Sequence, residues 1–229
     1  MTNDYCLMTN FKNMQYDILT IFPNIFDSYI NESILGRAQK SKKIKIKVHD
    51  IRKNAVDKHN TVDDKPYGGG PGMVMMVEPI YKTLKKIKHK KNSKVVLLSA
   101  KGKTWTQQKA QRYKKLDQLI LICGHYEGVD ERVKNFIDEE ISIGDYVLTG
   151  GELGAMVLVD STARLIPGVL GKEASLKEES HSKKGYLEYP QYTRPEVFKI
   201  GKKQYKVPEV LLSGHHAKIK QWREKQSKK

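Results

Sequence analysis

Cysteine is nearly absent from this chain: Cys6 and Cys123 are the only two among 229 residues. They share no paired spacing, which argues against a disulfide framework and against a zinc site. Long apolar runs are missing as well. No stretch approaches the length needed to span a bilayer, and the N-terminus carries no apolar signal-peptide core. The expected setting is therefore cytoplasmic, with no membrane partner. Acidic residues are in short supply, 26 Asp and Glu against 42 Lys and Arg, and the formal net charge is +16. Such a balance draws a protein toward polyanions, because basic side chains that neutralise phosphates release counterions. Nucleic acid is the first candidate partner; the plainer alternative is that lysine is simply the preferred surface residue. The remaining composition, 38% hydrophobic and 30% charged, describes a globular chain able to bury a substantial core.

Periodicity gives the outline. Residues 16–22 read as a buried strand, and Ile25, Phe26, Tyr29, Ile30, Ile34 and Ala38 recur at helical spacing over 23–41. Ile44, Ile46 and Val48 alternate with lysines, the mark of a half-exposed strand. A long loop over 52–72 is followed by a predicted helix over 78–90 and an apolar strand over 94–99. Thr104 is placed to cap a helix running to about Leu116. Residues 119–123 form another apolar strand, 129–136 a short helix, and 140–148 extended structure. A helix over 152–165 is stopped by Pro167 and Gly168. Strands alternating with helices predict an α/β domain with a largely parallel sheet. Residues 171–185, rich in lysine, glutamate and serine, read as a linker to a small, very basic segment with a helix from about His215. Residues 1–13 are expected to be an unstructured extension, since Met14 opens directly onto the first strand.

Three glycine-rich turns interrupt this pattern. Residues 66–73 read Pro-Tyr-Gly-Gly-Gly-Pro-Gly-Met, but no lysine follows at the spacing of a phosphate-binding loop. Residues 123–128, Cys-Gly-His-Tyr-Glu-Gly, close a strand without the dinucleotide fingerprint. Residues 142–153 read Ser-Ile-Gly-Asp-Tyr-Val-Leu-Thr-Gly-Gly-Glu-Leu. There Tyr146, Val147 and Leu148 look like the apolar core of a buried strand, bracketed by Gly144 and by Gly150 and Gly151. Glycines at strand ends let the backbone turn sharply and approach a ligand closely. Together these turns point to one ligand crevice at the ends of parallel strands, and kinase and dehydrogenase readings lose ground.

Residues 57–73, 123–132, 142–153, 164–171 (Arg-Leu-Ile-Pro-Gly-Val-Leu-Gly), 192–195 (Tyr-Thr-Arg-Pro) and 213–216 (Ser-Gly-His-His), with Trp222 and Arg223, resemble the signature segments of the bacterial tRNA (guanine-N1)-methyltransferases. The resemblance runs from about Met14 to Gln226. It implies the SPOUT class: an α/β, parallel-sheet domain with a deep trefoil knot, plus a small C-terminal helical domain. It also implies a homodimer with the active site at the subunit interface. On that reading residues 1–13 are an extension, 14–171 the knotted S-adenosylmethionine-binding domain, 172–186 a flexible interdomain linker and 187–229 a small basic tRNA-binding domain. The implied reaction moves the methyl group of S-adenosylmethionine to N1 of guanosine at position 37 of tRNA, beside the anticodon.

Carried over position by position, the resemblance places the methyl donor against Leu98, Ser99, Gly124, Glu127, Gly128, Ile143, Gly144, Tyr146, Leu148, Gly150 and Gly151. It places the flipped guanine and its neighbour against Asp63, Asp64, Tyr67, Pro71 and Gly72. Arg164 becomes the cation that stabilises charge developing on the guanine O6. The family's general base is an aspartate; counting from Arg164 without gaps, this chain has Glu179 there, with Glu178 as the alternative if the register slips. Glutamate is one methylene longer, and a displacement of about 1 Å can cost on the order of a hundredfold in rate. Other departures are His125 for the usual arginine, and Ala100 and Gly154 for proline. The C-terminal unit also reads as shortened, with Lys199, Lys202, Lys203, Lys206, Lys218, Lys220 and Arg223 left to grip a tRNA backbone. Magnesium is implied too, with Glu127 and Glu179 as the candidates to meet it, although no dedicated oxygen cage is legible. Two alternatives stay open: a non-catalytic RNA-binding relative that keeps the fold, and an enzyme that methylates ribosomal RNA.

Overall fold

The computed structural model describes residues 13–171, 179–183 and 185–227. Residues 1–12 and Glu178 lie outside the described residues, as do most of the positions read as linker. The chain divides into two compact units, Met1–Gly171 and Lys172–Lys229.

In the first unit, β1 (Met14–Thr20) is buried along nearly its whole length, Asp17 and Thr20 included, because an interior strand of a parallel sheet is covered on both faces. The helix expected over 23–41 is broken. It becomes a 3₁₀ turn (Pro23–Phe26), α1 (Asp27–Ile30) and α2 (Ser33–Lys40), and Ser33 takes a left-handed φ of 47° at the break. β2 (Ile44–Asp50) is more open than β1, its lysines alternating with apolar residues. The expected loop over 52–72 contributes β3 (Asp63–Asp64), which pairs antiparallel with β4 (Val74–Met75). Then follow α3 (Val77–Lys85), β5 (Ser93–Thr104), α4 (Gln107–Tyr113), β6 (Gln118–Cys123), a 3₁₀ turn (Glu131–Phe136), β7 (Glu139–Ser142) and α5 (Glu152–Ala163). Thr104 ends β5 rather than capping a helix. The cap of α4 is Thr106, whose Oγ1 accepts from the Lys109 amide at 3.3 Å.

The main sheet has five strands in the order β2-β1-β6-β5-β7, and every pairing in it is parallel. Period-two alternation sends successive side chains to opposite faces. Tyr16, Ile18, Val96, Leu98, Leu119 and Leu121 pack with α2, α4 and α5 on one side. Leu19, Val95, Leu97, Ile120 and Ile122 pack with α3 and the Glu131–Phe136 turn on the other. Helices therefore cover both faces, as a parallel sheet demands. The pairing of β5 with β7 is irregular. Its register slips, so that Leu98 and Lys103 both pair with Ile141 and residues 99–102 bulge out.

The second unit holds an antiparallel pair, β8 (Val197–Ile200) and β9 (Lys203–Lys206), then α6 (Glu209–Leu212) and α7 (His216–Gln226). The expectation of a helical domain is thus corrected to a mixed one. A two-residue turn at Gly201 and Lys202, with Gly201 at a φ of 57°, suits the twist of a hairpin.

Asp17 ties the centre of the sheet together. Its carboxylate accepts from His49 Nε2 at 2.8 Å, and from Gln15 Nε2 and Gln118 Nε2 at 2.7 Å each, linking β1 to β2 and β6. Burial pushes this carboxyl up, but the hydrogen bonds from His49, Gln118 and Gln15 outweigh it and hold the group below its usual 3.8. A depressed folded value means stability that is complete above the unfolded value and lost as pH falls through the folded one. Denaturation curves of the wild type and Asp17→Asn should therefore differ most near neutral pH and converge as pH falls below 3.8 and through the folded value. A difference that does not change with pH would remove the carboxylate from this role.

Candidate active site

The carboxyl ends of β5, β6 and β7 open into a cleft of about 290 Å³. Its walls contain Leu98, Ser99, Gly124, Glu127, Gly128, Ile143, Gly144, Tyr146, Leu148, Gly150 and Gly151, so every residue assigned to the methyl donor from sequence lies on one surface. The strand ends supply it as open parallel sheets commonly do, beside their switch in strand order. The bulge in β5 adds Ser99, Ala100 and Lys101 to the rim.

One expectation about these residues is overturned. Tyr146, Val147 and Leu148 are not the core of a buried strand: β7 stops at Ser142, and the three side chains are exposed, Val147 at 86%. Ser142 ends the extended run locally, because its Oγ donates to the Gly144 carbonyl at 2.8 Å and folds the chain back. Tyr146 and Leu148 reach the cleft from this turn instead of from a strand.

The second glycine turn holds the parts together. The Gly151 amide donates to the Gly124 carbonyl at 2.8 Å, and His125 pairs with Gly150. A Cβ placed on Gly151 would lie 2.8 Å from the Cys123 Cα. On its other side the turn binds the loop from the first glycine run. The Glu127 amide donates to the Met73 carbonyl at 3.0 Å, and the Met75 amide to the Gly128 carbonyl at 2.9 Å. Gly72 abuts Glu127 so closely that a Cβ there would lie 2.6 Å from Oε1. Asp63, Asp64, Tyr67, Pro71 and Gly72 do not themselves line the cleft. Asp63 and Asp64 are carried by β3, Asp64 capping the Lys65 amide at 2.7 Å, and Tyr67 is fully exposed.

Arg164 is the C-terminal cap residue of α5 and is also outside the cleft lining. Glu179 belongs to the second unit. Charge within the cleft comes from other groups. Lys134 bridges Glu131 at 2.5 Å and Glu140 at 3.2 Å, and these carboxylates hold its ammonium above the ordinary value.

Two polar residues behind the glycines have no role among the sequence expectations. Glu152, the first residue of α5, is 5% exposed and accepts from Thr20 Oγ1 at 2.7 Å. Burial first, and the Glu152 charge second, push the Cys123 thiol well above its ordinary value, which leaves it unreactive. His125 sits between the rings of Phe22 and Tyr126, 5.0 and 4.9 Å away, and its buried Nδ1 has no hydrogen-bond partner. The start of a helix at Glu152 was legible; a carboxylate buried there was not, since helix-opening glutamates ordinarily face water.

A family model described as tRNA (Guanine-1)-methyltransferase TrmD matches residues 14–229. A protein of Ruminiclostridium cellulolyticum named tRNA (guanine-N(1)-)-methyltransferase is 54% identical over 217 residues, covering 93% of this chain and 91% of its own. Proteins of the same name from Caldanaerobacter subterraneus and Dictyoglomus turgidum are 52% and 54% identical. They cover 93% and 94% of this chain, and 87% and 86% of their own lengths.

The contact between Gly151 and Cys123 is backbone against backbone, so neither side can swing away. Gly151→Ala is expected to destabilise the first unit by about 1–3 kcal/mol, the usual cost of overpacking. Thermal denaturation measures it, and an unchanged midpoint would mean that the seam yields to an extra carbon.

Proposed function

The chain belongs to the tRNA (guanine-1)-methyltransferase family, and on that premise we propose that it moves a methyl group from S-adenosylmethionine to N1 of the guanosine at position 37 of tRNA. The observation that carries this reading is the gathering of the donor residues on one cleft at the carboxyl ends of β5, β6 and β7. The cleft suits the donor. Leu98, Ile143 and Leu148 offer apolar surface, and the approach of Gly150 and Gly151 leaves main-chain atoms uncovered by side chains. Bound there, S-adenosylmethionine supplies an electrophilic methyl group on a sulfonium.

The chain's own residues do the rest. Glu127 sets a negative charge where it favours a cationic ligand. Guanine N1 carries a proton at neutral pH, and Glu179 accepts it as the N1 lone pair bonds to the methyl carbon. The electron pair of the broken carbon–sulfur bond stays on sulfur. Arg164 holds positive charge beside the guanine O6, where negative charge builds as the proton leaves. Asp63, Asp64, Tyr67, Pro71 and Gly72 receive the flipped base and its neighbour, since the base must leave its stack to be reached. Magnesium is given no step: among the described residues no group of three or more His, Cys, Asp or Glu side chains gathers.

The same reading takes the first unit as a SPOUT domain with a deep trefoil knot, a point that rests on family membership. It takes residues 172–186 as the linker and 187–229 as the tRNA-binding domain. It also takes the active form as a homodimer with the site at the subunit interface. Exposed Phe22, Ile25, Tyr29, Leu153 and Val157 support the dimer. Tyr29 donates to Asp160 of α5, which holds this apolar surface together across two elements. Among the described residues no helix is long and apolar enough to cross a membrane, and action on tRNA fits a cytoplasmic enzyme.

Labelled donor should transfer its methyl group to unmodified tRNA with guanosine at position 37 and not to tRNA with another base there. Glu179→Gln should lower the rate by about 10²–10⁴, the span typical of a lost general base, while Glu179→Asp keeps most of it. Donor binding without turnover on any tRNA would overturn the reading. Val157→Asp should convert a dimer to monomers in sedimentation velocity, and an unchanged sedimentation coefficient would place the interface elsewhere.

A further inference from the structure

The second unit has a cleft of its own, about 560 Å³ in volume. Among the described residues of this unit none is buried, so its apolar side chains do not complete a core. Some of them, among them Val207, Leu211, Ile219 and Trp222, line the cleft instead. Tyr192 and Trp222 face each other with ring centroids 6.3 Å apart and planes tilted by 58°, too splayed to stack on one another. Tyr192 is 48% exposed and offers an open ring face. Arg223 lies 4.8 Å over the Tyr189 ring, a cation–π contact that sets its guanidinium at the cleft wall, and Arg194 lines the cleft as well. The lining also includes one carboxylate, Glu196, and residues 197–206 carry four lysines and no acidic residue.

Open ring faces favour a planar partner. Two arginines in the lining and four nearby lysines, against a single carboxylate, favour an anion of repeating charge. A single-stranded nucleic acid presents both, because an unstacked base exposes its π face while its phosphates lie alongside. An acidic peptide meets the charge but leaves the rings uncovered, and an apolar peptide meets the rings against the charge. We propose that this cleft is a nucleotide subsite, in which an unpaired base from a loop of the bound RNA stacks on Tyr192 while Arg223 holds the adjoining phosphate. The inference rests on the reading of the chain as a tRNA methyltransferase and adds to it a base contact remote from the methylated guanosine.

Binding of the full chain to a fluorescein-labelled, unmodified tRNA anticodon stem-loop tests this, with abasic substitution scanned through the loop. Tyr192→Ala should weaken binding by roughly five- to 150-fold, the range of one lost base–aromatic stack. The dependence of log Kd on log salt should keep its slope, since no phosphate contact is lost. Tyr192→Phe, which keeps the ring, should bind as the wild type does. Arg223→Gln should reduce the salt slope by about one contact. At one loop position the abasic RNA should bind wild type and Tyr192→Ala alike, because the partner of the ring is gone. A Tyr192→Ala loss of equal size on every abasic RNA would make the ring a structural prop and overturn the proposal, as would wild-type affinity in Tyr192→Ala. Loss of affinity that follows dissociation of the protein in sedimentation would assign the cleft to a second copy of the chain. Methyl transfer by the wild type separates the two levels: activity with an indifferent Tyr192 sinks the subsite alone, and neither binding nor activity on any tRNA sinks the methyltransferase reading with it.

Discussion

The start of α5 rests on the end of β6 with no side chain between them, and the shape of the cleft depends on that contact. The Gly151 amide is bonded to the Gly124 carbonyl, and the backbones are close enough that a single added carbon has no room. The helix axis is set by this junction, and with it the packing of Ala155, Leu158, Val159 and Ala163 against the sheet. The same turn reaches the other way, through Met73 and Met75, to the glycine run of the 66–73 loop. Residues 124–128 therefore act as a clasp between two segments far apart in the chain. Its bonds are main chain to main chain, so it specifies little about side chains except that some must be absent.

Beside the cleft are two polar side chains that the apolar core does not absorb, buried Glu152 and partly buried His125. Glu152 is satisfied on one oxygen by Thr20, at the end of β1. His125 brings a ring nitrogen to the same neighbourhood, and a Cβ on Gly150 would meet both it and Glu152 Oε2 within 2.5 Å. Buried polar groups are costly unless partnered, and here they mark where helix, strand end and turn converge. The aromatic rings of Phe22 and Tyr126 close the imidazole from two sides.

The alternation of strands and helices was legible because burial on both faces leaves apolar runs, and β6 displays one openly. The crevice was legible because three glycine-rich turns occur together, two of them at the ends of apolar segments, where backbone can pass close by. What escaped is governed by particular side-chain and strand contacts, some local and some distant in sequence. Residues 146–148 carry strand-forming side chains, yet Ser142 bonds back to Gly144 and turns them out to the rim. The bulge in β5 comes from Leu98 and Lys103 competing for Ile141, a partner about forty positions on. A threonine two residues from the expected one caps α4, because β5 runs farther than its apolar segment does. Glu152 opens its helix as expected, but nothing in its motif reveals that Thr20 lies opposite and draws the carboxylate inward. Glu179 follows only from counting along the chain from Arg164, and its neighbour Glu178 lies outside the described residues.

The parallel arrangement around β1 also has a temporal side. β1 pairs with β2, about thirty residues on, and with β6, about one hundred residues on: Tyr16 lies against Ile46 and against Leu119. A chain made from its N-terminus at about 5–20 residues per second presents β1 many seconds before its second neighbour exists. During that interval a strand that is buried in the finished sheet has one edge unpaired. Parallel pairings of such long sequence separation form slowly even when the whole chain is present. The lysines of β2, alternating along the edge that is completed first, give the nascent intermediate a charged flank that discourages edge-to-edge association with other chains. The feature that seals the sheet in the finished protein thus makes its opening segment the one most exposed to misassociation during synthesis.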